Sequence, residues 1–205
     1  MSNIIIRQVQ DPKEKRLFLT FPWRIYRHDP LWVPPLLPEL TKKVDARCGQ
    51  FFQRGEAEFF IACEDGRMVG RICTAEDKVT NQQRHQRDCM VGFFECLQDY
   101  RIAEAMFQHA AQWAKARHLN TLYGPFNLDY EDSYGVLIEG WDRPPVLLCG
   151  HTPPYYQSYF ERFGFQPARG DNLAYAIDIS TELPAIQRLR RLANRLRKQG
   201  RIKIR

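Results

Sequence analysis

The residues best suited to acid–base chemistry lie in and after an apolar run, CMVGFFECL (89–97), whose one carboxylate is Glu95. A carboxylic acid among Phe93, Phe94 and Leu97 is desolvated, and desolvation raises its pKa toward the range a general base needs. Strand alternation puts Glu95 on the face of Phe93 and Leu97, so partial burial is expected; the competing arrangement turns it to solvent or pairs it with an arginine. Farther along, residues 127–139 gather Asn127, Asp129, Tyr130, Glu131, Asp132, Tyr134 and Glu139. Such an acidic, tyrosine-bearing stretch suits a cationic amine if it walls a cleft, and is otherwise a solvated loop. The histidines offer less: His85 lies in a polar loop, His109 at a helix–core boundary and His151 in a turn, with no Ser or Cys at recognisable triad spacing. Cysteines 48, 63, 73, 89, 96 and 149 form no CxxC and no Cys–His pair at zinc-ligand spacing, so no metal is expected.

Glu95 must be positioned by the elements around it. The run 89–97 has strand length, Gln98 and Asp99 close it, residues 100–119 carry helical spacing, and NTLYGPF resumes a strand pattern. In the helix, Ile102, Met106, His109, Ala110, Trp113 and Ala114 share one face. Two strands joined by one helix make a βαβ unit. Its right-handed crossover sets the helix start above the strands' carboxyl ends, where open α/β sheets keep their ligands, so function is sought around Glu95 to Ala103.

The remaining chain supplies further elements. NIIIRQV reads as a first strand, followed by a helical region 13–26 with Leu17, Phe18, Phe21 and Ile25 on one face and a break at Pro22. HDPLWVPPLLP is an extended segment that packs on the body. Residues 58–63 and 68–74 form a hairpin about Glu64-Asp65-Gly66-Arg67, and 76–88 a polar loop. Short strands are expected at 136–139 and 146–149, then a helix 155–163 ended by Gly164, and a last strand at 173–179. Residues 181–199 read as a basic amphipathic helix, with RIKIR resembling the opening of a strand.

Composition bounds the class. With 205 residues and 44% hydrophobic content the chain holds one good-sized domain, or one domain and an appendage. The net charge of +6 points to nucleic acid only superficially, because residues 183–205 hold nine Lys and Arg with no Asp or Glu, which leaves 1–182 at −3. An inter-domain helix with a solvated basic face is preferred to a nucleic-acid or anionic-surface arm, since the tail has an apolar stripe and no aromatics for base stacking. Unpaired thiols, no signal peptide and no apolar run near membrane length place the chain in the cytoplasm, with no membrane partner.

The order of elements, with AEFFIACEDGRMVGRI, VGFFECLQD and YYQSYFERFGF, resembles the GNAT superfamily of acyl-CoA-dependent N-acyltransferases. FPWRIYRHDPLWVPPL, GPFNLDYEDSYGVLIEG and PPYYQSYFERFGF are similar to a bacterial branch in which a second GNAT-like half follows the first. The resemblance implies an α/β (α+β) fold with a mixed sheet of about six or seven strands flanked by helices, a GNAT-like domain over 1–180, and a basic helix over 181–205 leading into a second half. It also implies acetyl-CoA or another acyl-CoA as co-substrate, its pantetheine arm between diverging strands and its pyrophosphate on the helix start. The corresponding residues are Cys96, Leu97, Gln98, Tyr100, Arg101, Ile102 and Ala103. Glu95 would then take a proton from the attacking amine and Tyr156 or Tyr159 would protonate the leaving thiolate, with Asn127 and Tyr134 toward a small-molecule or protein amine.

Two departures from the family pattern support a second reading. The turn QDYRIAEA lacks glycine, and Asp99 stands at the N-cap, where its carboxylate competes with pyrophosphate for the same amides. Phe160 also occupies the position, four residues before the Gly of Gly-Phe, where many members of the family carry tyrosine. The alternative to an enzyme is therefore a non-catalytic GNAT-like module with a degenerate CoA site.

Overall fold

A computed structural model of the chain describes residues 3–129, 133–146, 149–168, 171–175 and 183–199. The chain divides into two compact units, Met1–Ala168 and Arg169–Arg205. In the first, β1 (Ile4–Gln8), β2 (Gly55–Glu64), β3 (Arg67–Asp77), β4 (Asp88–Cys96) and β5 (Thr121–Tyr123) form one sheet in sequence order. Every pairing is antiparallel except that of β4 with β5, which is parallel as a βαβ crossover demands. At the β2–β3 turn Asp65 and Gly66 both take positive φ, 49° and 75°, which is what a two-residue primed turn requires.

Alternating side chains give the sheet two apolar faces. On one, Phe60, Ile72, Cys89, Val91, Phe94 and Cys96 pack on helix α5 (Tyr100–Ala116) through Ile102, Met106, Phe107, Ala110 and Trp113. His109 stands at the edge of that face, its ring 4.4 Å from Phe60. On the other, Ile61, Cys73, Ala75, Met90 and Phe93 meet Phe18 and Leu19 of α1 (Pro12–Thr20) and Leu40 of α3 (Leu37–Lys43). Asp11 caps α1 by accepting from the amides of Lys13 and Glu14, and Pro22 restarts the chain as the short α2 (Pro22–Ile25), the expected break. Leu17, expected inside, is 53% exposed, and Leu19 takes its place.

Several expectations are corrected. The sheet has five strands among the described residues, fewer than six or seven. The polar stretch expected as a loop contains α4 (Lys78–Arg84), capped by Asp77 and tied to β4 by Asn81, whose amide group bonds both the N–H and the carbonyl of Asp88. No apolar stripe announces this helix; its cap and one buried asparagine hold it. Residues 136–139 are not a strand, and among the described residues nearby an isolated bridge pairs Phe126 with Tyr134. Residues 173–175 are not a strand, and the rest of that expected element, part of 146–149 and RIKIR lie outside the described residues. In the first unit α6 (Tyr155–Phe163) ends at Gly164 with φ 110°, as expected of a left-handed cap. In the second, α7 (Pro184–Lys198) is the described helix. No helix among the described residues is long and apolar enough to cross a membrane.

Candidate functional site

A β-bulge in β4 aims the candidate base. Register runs from Arg71↔Glu95 to Cys73↔Gly92, so β4 carries one extra residue, and Phe93 takes φ 49° to absorb it. Phe93 and Glu95 consequently face α1, as alternation predicts, whereas Leu97 packs with the opposite cluster. Glu95 Oε1 lies 3.8 Å from the Arg71 guanidinium across the strand pair, so the arrangement is partial burial combined with an arginine partner. Its Oε2 accepts hydrogen bonds from Tyr156 at 2.8 Å and Tyr26 at 3.1 Å. Burial raises the Glu95 pKa, opposed by Arg71 and the two phenols. Arg71 donates to the Phe18 carbonyl at 2.9 Å and lies against the rings of Phe18 and Phe93.

The cluster extends beyond Glu95. Tyr26 stacks on Trp32 and its hydroxyl is also 3.1 Å from the His151 carbonyl. The His151 imidazole, 5% exposed, contacts Asp29 at 2.6 Å. Burial raises the Asp29 pKa, but the bonds from His151 and the Leu31 amide outweigh it and leave the carboxyl below its ordinary value. Four distant stretches of chain thus converge: the loop after α2, β3, β4 and the start of α6. Burial and the Glu95 charge push the Tyr156 hydroxyl well up, so it remains a phenol and a donor. Tyr159 is elsewhere, against the rings of Tyr100 and Tyr155.

Several polar groups of the expected acyl-CoA grip bond within the chain. β5 ends at Tyr123 while β4 continues to Cys96, which leaves an edge that needs partners. Phe126 N–H donates to the Val91 carbonyl at 2.8 Å, and Phe93 N–H donates to Asn127 Oδ1 at 2.6 Å. Cys96 N–H donates to the Tyr156 hydroxyl at 2.9 Å, and the Cys96 carbonyl accepts from Tyr155 at 2.8 Å. The approach is tight enough to require glycine: a Cβ on Gly92 would lie 2.1 Å from the Phe126 carbonyl oxygen and one on Gly124 2.2 Å from that of Val91. At the tip of α5, Asp99 accepts from the Arg101 amide at 2.9 Å and its carboxylate is wrapped by the Arg101 guanidinium, which also reaches Glu64 at 3.3 Å. The Arg101 side-chain bond first, then burial in opposition and the Arg101 amide, leave the Asp99 pKa lowered.

Ile102 and Ala103 are core residues, Gln98 is exposed, Leu97 N–H bonds the Val69 carbonyl, and Arg162 lies over the Tyr100 ring at 3.8 Å. Both backbone polar groups of Cys96 and the Arg101 amide at the helix start, which the resemblance assigns to pantetheine and pyrophosphate, thus have partners within the chain. Asn127 serves β4 and Ser133, and Tyr134 packs on Phe126. Tyr130, Glu131 and Asp132 lie outside the described residues. Two surface depressions of about 460 and 370 Å³ have neither Glu95 nor Tyr156 in their walls, and Leu97 lines the first. Among the described residues no group of His, Cys, Asp and Glu could hold a metal ion.

Tyr26, Asp29, Arg71 and Tyr155 escape the sequence reading, and His151 enters it only as a turn residue. The Arg71–Glu95 pairing had a signal, an arginine inside an apolar hairpin strand, but its register depends on a bulge that no spacing rule gives.

With this geometry in view, comparison with known proteins is informative. No family model matches the chain. It is 33% identical over 190 residues to the bacterial ceramide synthase of Caulobacter vibrioides, covering 92% of this chain and 49% of that one. It is 29% identical over 205 residues to protein YghO of Escherichia coli K12, covering 97% and 52%. The chain thus spans about half the length of the curated relatives it matches. Among solved structures, a tandem GNAT protein from the clavulanic acid biosynthesis pathway superposes with a TM-score of 0.52 at 13% identity, over 79% of this chain and 43% of that one. A predicted acetyltransferase of Clostridium acetobutylicum, solved with acetyl-CoA, gives 0.50 at 14% identity, over 86% and 97%. These likenesses show the architecture: the chain has the fold of the GNAT superfamily.

Proposed function

We propose that this chain is one GNAT-fold half of an acyl-CoA-dependent N-acyltransferase that acylates a long-chain amine, and that this half closes its own thioester seat. Identity over most of the chain to a ceramide synthase supports the reaction class, because a ceramide is the fatty amide of a long-chain amino alcohol. The observation that carries the closed seat is the bonding of Cys96: its N–H and carbonyl, where the family resemblance puts the pantetheine arm, are both taken by tyrosine hydroxyls. In this reading the Glu95 cluster clamps four segments together, and acyl-CoA is held by a second GNAT-like half. All six cysteines are free, which suits a reducing cytoplasm.

The test is ligand-induced stabilisation. Acetyl-CoA or octanoyl-CoA at one hundred times its Kd would add about 2.7 kcal/mol. The 205-residue chain is expected to shift by less than about 1 °C, far below the several degrees that stabilisation implies. A chain extended to the relatives' length is expected to shift fully and to form a fatty amide from acyl-CoA and a long-chain amino alcohol, read by mass spectrometry. A saturable shift in the 205-residue chain that Arg101→Glu removes would overturn the closed seat. Absence of amide from the extended chain would overturn the transferase reading.

A second reading keeps Glu95 as the base for the attacking amine, favoured by its raised pKa and by an Oε1 whose nearest cation is 3.8 Å away. It requires Glu95→Gln to lower kcat about a hundredfold or more, in the range of general-base catalysis, while KM is unchanged.

A further inference from the structure

α7 presents two faces of opposite character. At about 100° per residue, Ile186, Leu189, Leu192, Ala193 and Leu196 fall within an arc of about 120°. Leu189 is 61% exposed and Leu192 50%. The rest of the circumference carries Arg188, Arg190, Arg191, Arg195, Arg197 and Lys198, with Arg191, Arg195 and Lys198 farthest from the apolar arc, and no Asp or Glu occurs anywhere from 183 to 205. Arg190 and Arg197 border the apolar arc on one side and Arg188 on the other.

We infer that α7 is an interfacial helix that lies on an anionic lipid bilayer, its leucine face in the acyl boundary and its arginines among the headgroups. Three features select this occupant. The apolar arc buries favourably in hydrocarbon, and arginines at both of its borders reach back to phosphate along their own aliphatic stems. A polar face of one sign has its complement in a surface of the other sign, whereas a helix packed between protein domains gains from a mixed polar face that pairs with its neighbours. The helix contains no aromatic residue, which removes the base-stacking contacts of a single-stranded nucleic-acid arm. The sequence reading prefers a protein-packed helix without a membrane partner; the one-sign polar face and the arginines bordering the apolar arc are the features that favour a bilayer instead. The inference does not depend on the acyltransferase reading, since vesicle binding and amide formation are separate measurements.

The test is co-sedimentation of the 205-residue chain with vesicles of phosphatidylcholine alone or with about 30% phosphatidylglycerol. Binding to the anionic vesicles is expected to be at least about tenfold tighter, and to weaken about fivefold or more when salt rises from about 50 to 300 mM. Leu189→Glu with Leu192→Glu is expected to abolish it, and Arg190→Glu with Arg197→Glu to lower it about tenfold, each without moving the thermal midpoint of the first unit. Failure to bind anionic vesicles overturns the proposal, as does binding that survives the leucine substitutions. Tight binding to a single-stranded RNA that outcompetes the vesicles overturns it in favour of a nucleic-acid arm. In the chain extended to the relatives' length and carrying Cys48→Ser and Cys149→Ser, a Leu189→Cys thiol that resists maleimide without vesicles overturns it in favour of a protein cover.

Discussion

Beyond Met90 the edge of β4 directs its polar groups inward, to Phe126, Asn127, Tyr155 and Tyr156, while α7 leaves Leu189 and Leu192 exposed. The polar groups of the first surface are satisfied by the chain itself, and the apolar side chains of the second are open to solvent. A sheet edge that resembles a ligand seat is therefore a poor guide to ligand binding until its partners are counted. The contrast also separates energetic classes: groups in the first region are buried and costly to orphan, and those in the second are solvated and cheap to change.

The largest effect is expected from breaking the buried ion pair. Arg71→Met leaves Glu95 without its cation and should destabilise the first unit by about 3–5 kcal/mol, whereas Arg71→Met with Glu95→Leu should recover much of that loss, in chemical denaturation. The pair has a pH signature. Because burial raises the folded pKa of Glu95, its contribution is fully present below the ordinary carboxylate value and declines as pH rises through the raised one. Stability of the parent should accordingly fall relative to Glu95→Gln across that window, and an unchanged difference would show that Glu95 titrates normally.

Next comes the β4 edge itself. Tyr156→Phe orphans the buried Cys96 N–H and leaves Glu95 Oε2 with Tyr26 as its one phenol donor, and should cost about 2–3 kcal/mol, against about 1 kcal/mol for Tyr155→Phe, which removes a donor from a carbonyl. Equal costs would mean that the two hydroxyls do not play distinct parts at this edge. Asp99→Ala, which removes the α5 cap, should cost about 1 kcal/mol. If it also creates acyl-CoA binding in the 205-residue chain, Asp99 is the principal plug. At the small end, Leu189→Glu with Leu192→Glu should change stability by less than about 0.5 kcal/mol. A larger loss would place α7 among the packed elements.

Legibility followed the physics of each feature. The helix 100–116, the hairpin at Asp65-Gly66, the break at Pro22 and the cap at Gly164 were readable because each depends on neighbours within a few residues. Helix α4 was missed because a cap and a buried Asn81, rather than an apolar stripe, hold it. Glu95 is legible as a carboxylate inside an apolar strand, but its partners Tyr26 and Arg71 are not, since they lie 69 and 24 residues away along the chain. Asp99 was foreseen as a competitor for the helix start because an N-cap is a local contact.

By itself the sequence determined the alternation of strand and helix, the face each buries and the segregation of positive charge into the last residues, all consequences of short-range periodicity and composition. Only the tertiary structure decided that Tyr155 and Tyr156 satisfy the edge of β4 and that Glu95 is shared among an arginine and two phenols. Those outcomes turn on a bulge at Phe93 and on the requirement that every buried polar group find a partner, a constraint that acts across the whole fold and leaves no local trace in the chain.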